Sequence, residues 1–271
     1  MNIIRYGGPM ARTRKVGSPI GYSGSAAAGL TGFVSVWATT AINETITIPT
    51  QAGTFNATVD WGDTSPPETI TSSTDFVHTY ATAGDYTISI SGTFPNIYMR
   101  GDAVNKLKLK KITNLGTVGW DTFDSAFFEC SNLTEFTAGS TDTTGVTNMN
   151  QMFRSCTGLT SVDVSSFNTS SVSNMSIMFF NCGSLTSMVG VEDFDITGLN
   201  STGDLTNFLT SGKMTTAQYD NLLIKWRAQD PFNGMTASFG ASKYTGGGAA
   251  ATARAELIAI DGWSISDGGI A

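Results

Sequence analysis

"LTEFTAGSTDTTGVTNMNQMFRSC" at 133–156 lies without a gap on "LTSVDVSSFNTSSVSNMSIMFFNC" at 159–182. Cys130, Cys156 and Cys182 mark the period, two successive intervals of 26 residues. Other positions follow it: Leu133, Leu159 and Leu185; Phe127, Phe153 and Phe179; Phe136, Val162 and Met188; Asn148-Met149 and Asn174-Met175. A divergent fourth unit, "DLTNFLTSGKMT" (204–215), follows four extra residues. Self-similarity at a fixed period of this size is the mark of a stacked repeat array, in which each unit buries its neighbour's face.

Each unit divides into three pieces. Leu159-x-x-Val162-x-Val164 alternates as a short strand with one buried face. The Ser/Thr/Asn stretch 165–173 is a turn segment. Asn148-Met149-x-x-Met152-Phe153 has the i, i+3, i+4 spacing that predicts a short helix with Asn as its N-cap. The cysteine closes the unit as a small buried hydrophobe. An odd count excludes complete intrachain disulfide pairing. A three-thiolate metal site is the other chemistry open to these cysteines, but wide regular spacing suits core positions better. One strand and one short helix per unit predict an α/β solenoid of leucine-rich-repeat type, capped at both ends.

Outward from the repeats, charge is unevenly spread. The chain has 271 residues, a formal charge of −7, 14% charged residues and 40% hydrophobic ones. Thr (39), Ser (28) and Gly (30) are abundant, which argues for a β- and turn-rich chain with a polar, weakly charged face. Hydrophobicity is too high and charge too low for intrinsic disorder, and no apolar run is long enough for a membrane-spanning helix. Arg5, Arg12, Arg14 and Lys15 precede a stretch, 16–99, with no Lys or Arg. A second basic cluster holds Arg100, Lys106, Lys108, Lys110 and Lys111. Residues 112–212 then carry ten acids and one base, Arg154. Net negative charge disfavours nucleic acid as a partner. The basic start is followed by Val16-Gly17-Ser18-Pro19, broken and polar, which does not read as a secretion signal and predicts folding in a cytoplasm.

Residues 41–94 read as short strands: "ETITIPT" (44–50), "FNATVDWGD" (55–63) and "DYTISISG" (85–92), with a tight turn centred on Gly84. They predict a small β-sandwich. Single His78 excludes a multi-histidine metal site. A catalytic role would require Asp60, Asp63 or Asp85 as its carboxylate partner, whereas a structural role needs only packing at the turn. Asp60 and Asp63 are turn formers, with calcium binding as the alternative. Glu192-Asp193-x-Asp195 lacks the glycine and distal Glu of a calcium loop and reads as a solvated repeat edge. "TTAQYDNLLIKWRAQ" (215–229) predicts a helix with Tyr219, Leu222, Leu223 and Trp226 on one stripe, capped by Thr215 or Thr216. A further short helix is expected over 249–259 and a strand around Trp263-Ser264-Ile265. Gly246-Gly247-Gly248 lacks the Gly-Lys-Ser/Thr of a phosphate loop.

Two resemblances attach to these segments. "NMNQMFRSCTGLTSVDVSSFNTSSVSNMSIMFFNCGSLTSM" resembles the BspA-like leucine-rich repeats over about 112–212, with Val162, Val164 and Asn168 where that pattern favours Leu, Leu and Asp. "VDWGDTSPP…FVHTYATAGDYTISISG" resembles a polycystic-kidney-disease-type (PKD) domain, an immunoglobulin-like spacer or binding module, with Thr64 in place of its second turn glycine. In that pattern the His78 position is structural. "KYTGGGAAATARAEL…GWSISDGG" resembles the tail that follows such repeats in phage and bacterial-surface proteins.

The expected organisation is a β-rich multi-domain chain. An extended N-terminal anchoring arm (1–40) precedes a PKD-like sandwich (41–98). The repeats (99–212) and a C-terminal capping helix and tail (213–271) follow. The resemblance implies a non-enzymatic tailed-phage virion protein, as capsid decoration, head fibre or tail-associated fibre. Such a protein would dock on the major capsid or tail protein through residues 1–40 and bind host glycans or stabilise the shell, with no cofactor and no metal. A bacterial cell-surface adhesin built from the same modules is the alternative. A glycan depolymerase would need paired carboxylates, and the sequence offers no distinctive pair.

Overall fold

The computed structural model describes residues 31–271. The expected anchoring by residues 1–30 lies outside them. The first described element overturns part of the arm boundary. "FVSVWAT" alternates strictly, and Phe33–Thr39 forms β1, with Phe33, Ser35, Trp37 and Thr39 buried. Its Gly-, Ser- and Ala-rich flank hid a strand that needs only seven alternating residues.

β2 (Glu44–Ile48), β3 (Asn56–Asp60), β4 (Glu68–Ile70), β5 (Phe76–Tyr80) and β6 (Gly84–Thr93) follow. Gly84, expected at the centre of a turn, is instead the first residue of β6, opposite Thr39 of β1. β7 (Leu109–Asn114) then leads to three strands of three residues each: β8 (Glu135–Thr137), β9 (Ser161–Asp163) and β10 (Ser187–Val189). One mixed sheet joins most of these, in the order β10-β9-β8-β7-β1-β6-β3-β4. β7 to β10 are parallel, and every pairing from β7 through β1 to β4 is antiparallel. β1 is therefore the seam, hydrogen-bonded to β6 on one side and to β7 on the other. The antiparallel pair β2–β5 covers the inner face of the antiparallel half. Phe55, Phe76 and Phe94 meet there at ring separations of 5.5–6.0 Å.

Opposite the parallel strands, the expected repeat helix does not form. Ser125, Glu129, Gln151, Ser155, Ile177 and Asn181 all have φ between 55° and 60°. These left-handed residues interrupt each turn, so the i, i+3, i+4 spacing of Met149, Met152 and Phe153 serves a chain that turns inward without coiling as a helix. Single turns close within a unit, such as Met152 N–H to Met149 O (3.3 Å) and Cys156 N–H to Phe153 O (3.1 Å). Alternate N–H groups instead reach the next unit. Phe123, Ser125, Phe127 and Glu129 donate to the carbonyls of Asn148, Asn150, Met152 and Arg154. Met149, Gln151, Phe153 and Ser155 donate in turn to Asn174, Ser176, Met178 and Phe180. Asn148 accepts from the Asn150 N–H (2.8 Å) and so shapes a local turn rather than a helix cap. The ladder continues from Met175, Ile177 and Phe179 to Asp204, Thr206 and Phe208, where the four inserted residues lengthen the step. The backbone of each unit is thus satisfied on two sides, by the parallel sheet and by this turn ladder.

α1 (Thr216–Arg227) begins with a capping box, Thr215 accepting from the Gln218 N–H while Gln218 accepts from the Thr215 N–H. It lays Tyr219, Leu222, Leu223 and Trp226 inward, and Gln218 Nε2 donates to the Met188 carbonyl (3.1 Å), covering the edge of β10. α2 (Ala249–Ala259) packs on α1, and β11 (Thr236–Ser238) pairs in parallel with β12 (Ser264–Ser266). Phe239 N–H to Ser266 O (2.8 Å) carries the turn ladder to the last residues. The buried side chains form one continuous cluster from Phe33 to Trp263. Among the described residues, no helix is long and apolar enough to cross a membrane.

Candidate binding surface

Because strand side chains alternate, burying one face of the large sheet leaves the other open. In the parallel half, Lys111, Glu135, Ser161 and Ser187 stand in register across β7 to β10, and Thr137, Asp163 and Val189 form the next row. Across the seam, Val36 stands between Lys111 and Thr87. Beyond it Thr58 adjoins Ser91, and Asp60 adjoins Ser89. The face is thus a set of short hydroxyl rows with a few charges. Those charges are mostly paired: Lys111 with Glu135 (3.0 Å) and Lys110 with Asp85 (3.1 Å). Such exposed pairs fix side-chain direction more than they add stability.

The unit edges form a second surface. Asp142, Asn168 and Asp195 occupy equivalent positions, and each accepts hydrogen bonds from a Thr or Ser two residues on, Thr144, Ser170 and Thr197. The Thr144 hydroxyl and N–H hold the Asp142 carboxyl below its ordinary range. Behind this row, Thr143 and Thr169 are buried, and their hydroxyls donate to the Asn168 and Asp195 carbonyls of the next unit (2.9 and 3.0 Å). Asp195 of the acidic cluster is therefore a turn former, and Asp193 pairs with Lys225 of α1.

His78 sits on β5, stacked on Trp61 at 5.0 Å and edge-on to Tyr80 at 4.8 Å. Its Nε2 is 2.8 Å from Asp63 Oδ2, and Nδ1 is 4.0 Å from Glu68. Burial pushes the Asp63 carboxyl up, but hydrogen bonds from Ser65 and His78 outweigh it, and the net direction is down. Asp60 Oδ1 accepts from the Gly62 N–H (2.9 Å), and Asp85 is committed to Lys110. Gly62, at φ +74°, brings the turn so close to β6 that a Cβ would lie 2.2 Å from the Thr87 carbonyl oxygen. Among the described residues, no group of three His, Cys, Asp or Glu could hold a metal ion.

The three cysteines are free and buried. Cys156 Sγ lies 3.0 Å from the Phe127 carbonyl and Cys182 Sγ 2.9 Å from the Phe153 carbonyl, one unit back in each case. Burial raises all three thiols, Cys182 to about 12. Gly246–Gly248 leads into α2, and Thr245 binds the Asp220 carboxylate of α1 through its N–H (2.8 Å) and hydroxyl (2.6 Å). That loop is thus tied by an acid, the wrong sign for a phosphate cradle.

One constellation has no counterpart in motif reading. Phe128, Arg154 and Phe180 occupy the same position in three successive units, on the outer side of the turn ladder. The Arg154 guanidinium carbon lies 5.1 Å from the Phe128 ring and 5.7 Å from the Phe180 ring, and Arg100 lies 5.8 Å from the Phe128 ring. The available signal was Arg154 as the single base of an acidic region. Its surroundings came from stacking.

Residues 90–219, just under half of the chain, match the family model described as "Mycoplasma protein of unknown function, DUF285". The match runs from β6 into α1 and spans the whole parallel ladder. No curated protein and no solved structure matches the chain.

Proposed function

We propose that this is a non-enzymatic structural and recognition protein displayed on the surface of a tailed-phage particle, as capsid decoration, head fibre or tail-associated fibre. Its antiparallel half is an immunoglobulin-like module of PKD type and its repeats are a BspA-like leucine-rich-repeat array. The observation that carries this reading is the single mixed sheet. One core runs behind it, while hydroxyl rows and unit edges lie open along its length. A surface of that kind suits recognition of an extended polar ligand such as a host glycan. Its rigidity comes from backbone groups bonded on two sides of every unit. The basic residues before β1 suit docking on an acidic partner surface of the particle.

Purified particles analysed by quantitative mass spectrometry test the reading. A copy number in the hundreds is expected for shell decoration and a handful for a tail position. Particles free of the protein, with the protein instead on the bacterial cell surface, would overturn it in favour of an adhesin.

A further inference from the structure

Four of the five cations in the second basic cluster are paired. Lys106 meets Glu129 at 2.6 Å, Lys108 meets Glu44 at 2.9 Å, and Lys110 and Lys111 take Asp85 and Glu135. Arg100 forms no ion pair among the described residues, and neither does Arg154, the one base among ten acids. Residues 1–30 contain no Asp or Glu, so they supply no side-chain carboxylate to either arginine.

Arg154 is also held in a particular way. Its plane is gripped by Phe128 and Phe180, one unit before and one unit after. Such stacking leaves the in-plane N–H edge for a planar anion. Nη1 donates to Gln151 Oε1 (2.7 Å), and Gln151 is fixed in turn by donating to Asn150 Oδ1 (2.7 Å). Among the described residues Nε is buried with no hydrogen-bond acceptor, so an arriving anion meets the terminal Nη groups. A guanidinium that is stacked, oriented, short of acceptors and without an acid partner is arranged as an anion receptor.

The flanking rows indicate what carries the anion. On one side stand Asn150 and Ser176, on the other Ser155 and Asn181, all amides and hydroxyls. Amides and hydroxyls both donate and accept, as the ring hydroxyls that flank the carboxylate of an acidic sugar require. Net charge does not oppose such a ligand at contact, because exposed charges beyond about 8 Å are largely screened at physiological salt.

We infer that the Phe128–Arg154–Phe180 stack, with Arg100 beside it, is a binding site for the carboxylate of an acidic saccharide. The inference deepens the recognition role proposed above and rests on it. Arg154 takes the carboxylate, Arg100 adds a second cation, and the amide and hydroxyl rows take ring hydroxyls.

Calorimetric titration of the full chain tests it. The probes are oligosaccharides containing galacturonate, glucuronate or sialic acid, and their neutral counterparts. At least one acidic oligosaccharide is expected to bind, with its neutral counterpart at least tenfold weaker. Arg154→Gln should lower that affinity at least tenfold and Arg100→Gln by a smaller factor, with binding weakening as salt rises. The exposed Arg100→Gln variant and the charge-retaining Arg154→Lys keep the test open should Arg154→Gln fail to fold. Arg154→Lys is expected to bind several-fold more weakly, since it lacks the planar fork. The inference fails if no acidic probe binds, if neutral probes bind as well, or if the variants bind like the parent. Particle-bound protein that ignores acidic saccharides would overturn this site alone and leave the proposed location standing.

Discussion

The two halves of the large sheet reach the same end by opposite means. In the antiparallel half, strands of up to ten residues pair across long sequence separations, and β2, β3 and most of β6 are individually legible. In the parallel half, strands of three residues would be meaningless alone. They exist because each unit copies the last. Phe127, Phe153 and Phe179 stack face to face at 5.6 and 5.3 Å, and Phe123, Phe167 and Phe194 make a second column at 5.7 and 6.2 Å. Stability in one half comes from one local core and in the other from nearest-neighbour repetition. The seam strand β1 bonds both, and the core is continuous behind it, so the halves should unfold together.

Phe153→Ala tests that coupling with the largest effect. The ring lies between Phe127 and Phe179 and edge-on to Phe136 at 4.8 Å, and its loss is expected to cost about 3–5 kcal/mol. Denaturant unfolding should remain a single transition. Trp37 and Trp61 in the antiparallel half and Trp226 beyond the repeats should report the same midpoint. Separate transitions would show that the seam does not couple the halves.

Asp267→Ala probes the distal end. This carboxylate is 3% exposed, receives Arg254 Nε at 2.7 Å and the Tyr219 hydroxyl at 2.7 Å, and so ties the last residues to α2 and α1. Removing it leaves Arg254 unpaired and is expected to cost about 3 kcal/mol. Burial raises this carboxyl, but Arg254, Tyr219 and the Gly269 N–H more than reverse it, and it is held below the ordinary value of 3.8. The folded pKa is thus depressed. The stabilisation is present above the unfolded value and is lost as pH falls through the folded one. The wild type should lose stability on acidification below about pH 4, and Asp267→Ala should lose less over that range.

Cys156→Ser asks whether the repeat column needs an apolar atom. A buried hydroxyl in place of the thiol is expected to cost about 1–3 kcal/mol in denaturant unfolding. In the native protein all three thiols should resist a thiol reagent that labels them at once in denaturant, since burial opposes thiolate formation. Rapid native labelling would contradict the packed column.

Ile177→Asn should have the smallest effect and the opposite sign. A β-branched residue at φ 60° is strained, and its equivalents here are Ser125 and Gln151. Asn tolerates that backbone, so a gain of about 0.5–1 kcal/mol is expected, read as a rise in melting temperature. A loss would mean that Ile177 packing outweighs the strain.

Much of this was legible. Cysteine spacing, phenylalanine spacing and alternation in 44–50, 55–60 and 85–92 report burial, and burial is what side-chain periodicity encodes. The stripe of Tyr219, Leu222, Leu223 and Trp226 and the Thr215–Gln218 capping box are likewise local. The helix expected at 148–153 was not the outcome, because its apolar spacing is equally compatible with turns whose N–H groups bond the adjacent unit. Only the adjacent unit distinguishes the two. The buried strand 33–39 escaped although its alternation is strict, because the Gly-, Ser- and Ala-rich stretch before it made 1–40 read as one extended arm.

The anion-receptor stack shows the same division. The single base at Arg154 is a fact of the chain. That its plane falls between two phenylalanines, 26 residues before and after, follows from a period legible in the sequence. That the ring faces meet it, that Gln151 orients it and that no carboxylate reaches it were decided by the stacking of units in space. Sequence by itself determined which residues repeat and which are buried, because both are one-dimensional properties. Tertiary structure decided where backbone hydrogen bonds go and which charges remain unpaired, because both depend on neighbours that the chain brings together only by folding.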